Sequence, residues 1–125
     1  MDRKAITTEK APKAIGPYSQ GIMSGDLLFI SGQLGIDPSK GQLVEGLEAQ
    51  TKQVMENLRN ILSAAGMGFD SVIKTNIYMM DLENFKTVNE IYGSYFRSDP
   101  PARATVQVSG LPLKALVEMD MVARK

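Results

Sequence analysis

The stretch Ser71-Val-Ile-Lys-Thr-Asn-Ile-Tyr-Met-Met80 decides the fold. Its β-branched and aromatic residues suit a pleated strand. Before it, Leu47, Thr51, Val54, Leu58, Ile61, Leu62 and Ala65 recur at helical spacing and predict a helix over about residues 46–65 with one apolar stripe. Gly66 stands where a helix C-cap needs a residue free to turn left-handed. After it, Phe85, Val88, Tyr92, Tyr95 and Phe96 predict the buried face of a second helix. Asp81 is its expected cap, Asn84 holds the capping-box position, and Pro100-Pro101 is its expected end. A strand set between two helices needs other strands to pair with.

Those strands lie at both ends of the chain. Ser19-Gln-Gly-Ile-Met23 and Leu27-Leu-Phe-Ile-Ser31 read as a hairpin around Ser24-Gly25-Asp26, with Gly25 free to take the positive φ of a tight turn. Asp37-Pro-Ser-Lys-Gly41 is a second turn cluster. Thr105-Val-Gln-Val108 alternates apolar and polar residues. Leu116-Val-Glu-Met-Asp-Met-Val122 does the same, with Val117, Met119 and Met121 on one face and Glu118 and Asp120 on the other. The order ββ(β)αβαββ predicts an α+β fold, a mixed sheet with two helices on one face. A length of 125 residues without repeats or linker-like composition predicts one domain spanning residues 1–125.

Composition narrows the chemistry. Cys, His and Trp are all absent. Disulfides, thiolate nucleophiles, imidazole acid–base catalysis and Cys- or His-based zinc sites are therefore excluded within the chain. No clustered Asp pattern of the EF-hand kind is present, so no metal site is expected. Lys+Arg and Asp+Glu both number 14, which provides no basic excess for a phosphate backbone and argues against nucleic acid as a partner. No apolar run approaches the roughly 20 residues of a membrane span. The charged N-terminus is followed by no apolar segment, so neither membrane association nor secretion is expected, and the expected location is cytoplasmic.

Several positions offer chemistry, each with a structural alternative. Arg103 opens a strand and has the planar fork that holds a carboxylate by two hydrogen bonds, but it also reads as an ordinary surface arginine. Glu118, between Val117 and Met119, is either a half-buried carboxylate of raised pKa or the solvent face of a sheet. Asn89 falls on or beside the apolar face of the second helix, where an amide needs a partner. Tyr18 lies on a Gly/Pro-rich turn, and Gly32 in Ser31-Gly-Gln33 permits a ligand or backbone to approach closely.

Taken together, Ile15-Gly-Pro-Tyr-Ser-Gln-Gly21, Ser31-Gly-Gln33, Pro101-Ala-Arg-Ala-Thr-Val-Gln-Val108 and Leu116-Val-Glu-Met119 resemble the Rid family of reactive-intermediate deaminases. The likeness is to its RidA branch, also called YjgF-type or L-PSP endoribonuclease proteins, and runs from about residue 5 to 122. It implies a chorismate-mutase-like fold and a homotrimer with ligand clefts between subunits. It implies hydrolytic deamination of enamines and imines (2-aminoacrylate, 2-iminopropanoate, 2-iminobutanoate) to 2-oxo acids and ammonia, with no cofactor. By the same resemblance, Arg103 clamps the substrate carboxylate and Glu118 orients or deprotonates the attacking water. Backbone groups near Thr105 and Gly32 hold the imine, while Tyr18, Ser31 and Asn89 shape the cleft. Many relatives have Cys where this chain has Thr105, so no thiol-dependent role is open to it. Two other readings compete: an endoribonuclease or translation-inhibitor type of RNA-acting protein, and a non-catalytic binding module for small 2-oxo acids. RNA cleavage without His would require Lys or Glu as acid and base.

Overall fold

The computed structural model describes residues 3–125. Ten regular elements follow one another: β1 (Arg3–Ile6), β2 (Gly21–Ser24), β3 (Leu27–Leu34), β4 (Ile36–Asp37), β5 (Gln42–Leu43), α1 (Leu47–Ala64), β6 (Val72–Met79), α2 (Phe85–Gly93), β7 (Ala102–Gln107) and β8 (Val117–Arg124). Six strands form one sheet in the order β1-β2-β3-β8-β6-β7, and β4-β5 is a separate small hairpin. All neighbours in the large sheet are antiparallel except β6 and β7, so the sheet is mixed. Both helices cover the same face, as the alternation predicts.

The core lies between that face and α1. Val54, Met55, Leu58, Ile61 and Leu62 of α1 are fully buried against Leu28, Ile77, Val117 and Met119 of the sheet. Burying side chains of this size stabilises by roughly 1.5–3 kcal/mol each. Gly25 and Gly66 take the positive φ expected of them, 63° in the hairpin turn and 74° beyond the helix. The first helix starts at Leu47 and ends at Ala64, close to its sequence reading. Among the described residues, no helix is long and apolar enough to cross a membrane.

Two elements differ from the sequence reading. β1 is an additional edge strand, four residues with two adjacent cations and no apolar alternation, so its pairing is visible only against β2. The second helix is shorter than its apolar spacing suggests: Asp81 accepts a hydrogen bond from the Glu83 N–H and opens a 3-10 turn at Leu82–Asn84, and α2 then ends at Gly93. Tyr95 and Phe96 lie past the helix, where both rings pack edge-on against Phe69 at 5.4 and 5.5 Å. The aromatic spacing continues after the backbone has left the helix.

Buried amides on α1 fix the loops that reach the other face. Gln50 Nε2 donates to the Val44 carbonyl, and its Oε1 accepts from the Leu116 N–H. Asn57 Nδ2 donates to the Leu34 and Ile36 carbonyls at 3.1 and 2.9 Å. Gly35 permits this approach, since a Cβ there would sit 2.7 Å from the Gln50 Cα.

Candidate functional site

β7 runs parallel to β6 with Arg103 opposite Thr75 and Thr105 opposite Ile77. Thr75 and Ile77 are fully buried under the helices, so Arg103 and Thr105 emerge on the helix side of the sheet, at its edge. There α2 receives Arg103. Phe85, Asn89 and Tyr92 are spaced by four and then three residues and share one helix face. The guanidinium carbon lies 5.3 Å from the Phe85 ring centroid and 5.2 Å from that of Tyr92, and Nη1 donates to Asn89 Oδ1 at 2.8 Å. Tyr92 is held in turn, because its hydroxyl donates to Thr75 Oγ1 at 3.0 Å and burial pushes its phenol pKa up. Leu82, Phe85, Arg103 and Thr105 line an open cavity of about 420 Å³. Thr105 Oγ1 is buried and has no hydrogen-bond partner among the described residues.

The other predicted residues assemble elsewhere. β3 carries a bulge between Ile30 and Gln33, where it pairs with β8 out of even register. The bulge brings Gly32 against the Glu118 carboxylate so closely that a Cβ at Gly32 would collide with its Oε2 and lie 2.9 Å from its Cδ. Glu118 is half-buried; burial first, and the charge of Asp120 second, push its carboxyl pKa above the ordinary value. Ser31 Oγ donates to the Ser19 carbonyl at 2.6 Å, closing the preceding loop onto β3. Gln20, almost fully buried, gathers the same loop by donating to the Thr8 and Pro12 carbonyls and accepting from the Thr8 N–H. Tyr18 remains half-exposed, with the Ile15 N–H pointing at its hydroxyl. Tyr18, Ser31, Gly32 and Glu118 thus line one cavity of about 600 Å³, with exposed Ile15 and Leu113 at its walls.

Within one chain the predicted residues therefore form two groups. Arg103, Thr105 and Asn89 lie on the helix side, whereas Glu118, Gly32, Ser31 and Tyr18 lie around the other face. Asn89, expected as an amide on or beside the apolar face, is exposed, since the buried stripe of α2 runs through Val88 and Tyr92. A cavity of about 710 Å³ between Arg59, Phe69 and Arg97 contains none of these residues, and its Arg59 is already paired with Glu56.

Known proteins give the family. A family model described as Endoribonuclease L-PSP matches residues 8–125. A human protein named 2-iminobutanoate/2-iminopropanoate deaminase is 49% identical, over 97% of this chain and 89% of its own. The chain belongs to the Rid family. Its fold is the Rid fold: the crystal structure of RidA from a Psychrobacter species superposes with a TM-score of 0.96 at 42% identity, covering 98% of this chain and 99% of that one. A second Rid-family neighbour is Escherichia coli TdcF, solved with bound serine, at a TM-score of 0.94 and 36% identity over 98% of both chains.

Sequence alone does not mark the residues that hold these candidate side chains and loops in place. Phe85 and Tyr92 were legible only as core, although their spacing with Asn89 marks the face that meets Arg103. Gln20, Gln50 and Asn57 have no periodicity to flag them. Their signal is burial of an amide, which becomes visible once the helix faces are assigned.

Proposed function

We propose that the protein is a deaminase that hydrolyses small 2-imino acids and their enamine tautomers to 2-oxo acids and ammonia, in clefts completed by a second copy of the chain. Arg103 carries this reading. Its guanidinium is held between two rings and by one amide, so its remaining N–H edges are presented in a fixed plane to a carboxylate. The relative named as a deaminase of 2-imino acids and the relative solved with serine agree with a carboxylate-bearing small substrate.

The chemistry needs little besides placement. A protonated imine is already electrophilic, so water adds at its carbon while a base removes one proton. Glu118, with a raised proton affinity, accepts that proton and returns it to the nitrogen; ammonia then leaves as the hydroxyl gives its proton back to Glu118 and the carbon–oxygen double bond forms. Thr105 Oγ1, without a partner among the described residues, has hydrogen-bonding capacity left for a ligand beside Arg103. The absence of Cys and His does not hinder any of these steps.

Two copies are needed because Arg103 and Glu118 face apart. Phe29 and Val106 leave apolar surface exposed near half their area, which supports burial against another chain, and a trimer with three equivalent clefts fits the family. The test is to generate 2-aminoacrylate in solution with a serine dehydratase and follow its decay. The protein is expected to accelerate release of 2-oxo acid and ammonia in a dose-dependent way. Saturable binding of pyruvate without acceleration would favour a binding module, and cleavage of RNA alone would overturn the reading.

A further inference from the structure

Asp120 is the one acidic neighbour of Glu118 on its strand face, and neither carboxylate forms an ion pair among the described residues. β8 alternates strictly, with Val117, Met119 and Met121 buried, so Glu118 and Asp120 project together from the opposite face. Across β6, Tyr78 stands opposite Glu118 and Asn76 opposite Asp120. Asn76 Nδ2 donates to Asp120 Oδ1 at 2.9 Å, and the Tyr78 hydroxyl donates to Oδ2 at 3.0 Å. Both oxygens of Asp120 are thus occupied as acceptors from one neighbouring strand, and its carboxylate has no freedom to swing away from Glu118.

We propose that Asp120, pinned by Asn76 and Tyr78, is a positioning residue whose fixed negative charge strengthens Glu118 as the base that draws a proton from water. This rests on the proposed imine hydrolysis. The physical reason is that a second like charge on a half-buried face disfavours ionisation of its neighbour, as in paired catalytic carboxylates. Burial and Asp120 both act on Glu118 in this direction, burial the more strongly. The same surroundings keep Tyr78 protonated, so it remains a donor to Asp120. The same sheet face also carries Lys74 of β6, opposite Val122, and Arg124 of β8, which is paired with Asp26; Tyr18 and Lys13 come from the loop across the cavity, and β3 and the Pro112–Leu113 turn contribute no titratable group to its wall. A carboxylate whose proton affinity is raised toward working pH is a better general base than a fully solvated one.

The experiment has two arms on the full-length protein. The first follows the Glu118 carboxyl by carbon NMR through a pH titration, without substrate. The second measures the pH dependence of kcat/KM with enzymatically generated 2-aminoacrylate. Asp120→Asn is expected to move the Glu118 midpoint to lower pH, and to move the acid limb of the rate profile in the same direction. Asp120→Ser serves as a second charge-removing variant in case the amide disturbs the Asn76 and Tyr78 contacts. Tyr78→Phe, which keeps the charge, is expected to leave the midpoint above that of Asp120→Asn. An unchanged midpoint in both charge-removing variants would overturn the coupling. A shifted midpoint with an unshifted acid limb would overturn the positioning role. Wild-type protein without turnover would overturn the deaminase reading instead, and the first arm would still decide the coupling.

Discussion

Arg103 and Glu118 stand on opposite faces of one sheet. Arg103 pairs in register with buried Thr75 and rests on α2, whereas Glu118 lies between Val117 and Met119, which are buried on the helix side. No rotation of either side chain brings them to one substrate through a packed sheet. In the proposed deaminase each face therefore offers half of a site, a carboxylate clamp or a base, to a facing chain. In solution a mass of three chains is expected by light scattering at micromolar concentration, and a mass of one chain would contradict this arrangement.

Arg103→Lys is expected to fold normally and lose about 10- to 100-fold in kcat/KM, because a charge-assisted hydrogen bond is worth roughly 1.5–3 kcal/mol and an ammonium offers a point charge instead of a fork. The guanidinium contact with the Phe85 and Tyr92 rings is lost as well. Steady-state kinetics with circular dichroism check this, and an unimpaired Lys variant would remove the fork from the account.

Gly32→Ala is expected to abolish most turnover while leaving the fold intact. The added Cβ would collide with the Glu118 carboxylate and displace it from the bulge. Ligand binding at Arg103, read by calorimetry with pyruvate, should survive better than kcat.

Glu118→Gln is expected to bind pyruvate but not to turn over imine. Its stability has a defined sign. The folded pKa of Glu118 is raised above the ordinary value of 4.5, so the folded chain holds this proton more tightly than the unfolded one. Stability from this group is present at acid pH and is lost as pH rises from the unfolded value through the folded one. Removing the buried charge should therefore raise Tm at neutral pH, and a lower Tm there would show that Glu118 is a paired structural residue.

Thr105→Val keeps the shape and deletes an unpartnered hydroxyl. A buried polar group without a partner costs about 1–3 kcal/mol, so the valine variant is expected to melt at the same temperature or higher while losing activity. A destabilised valine variant would mean that the hydroxyl is bonded within the assembly and not to substrate.

Much of this was legible in the chain. The stripe from Leu47 to Ala65, the turn at Gly25 and the alternation of Leu116 to Val122 each follow from local periodicity, and the structure keeps them. β1 was not, because a strand of charged and small residues acquires its identity from its partner. Arg103 and Glu118 were legible as candidates, one for a carboxylate and one for a proton, but not as members of two separate groups. Which face a residue takes in β7 depends on its parallel register with β6, a long-range pairing that alternation alone does not specify. Nor does the sequence disclose that Asn89 serves Arg103, since the contact joins a helix to a strand 14 residues on.

The most direct test of a shared cleft is to mix two inactive variants. Arg103→Ala supplies an intact Glu118, and Glu118→Gln supplies an intact Arg103. When the two are denatured together, refolded and assayed for imine hydrolysis, random assembly at head-to-tail interfaces should make about one cleft in four complete, and activity should return to about a quarter of the wild-type level. Mixed samples as inactive as either parent, with all variants folded and assembled, would contradict the account.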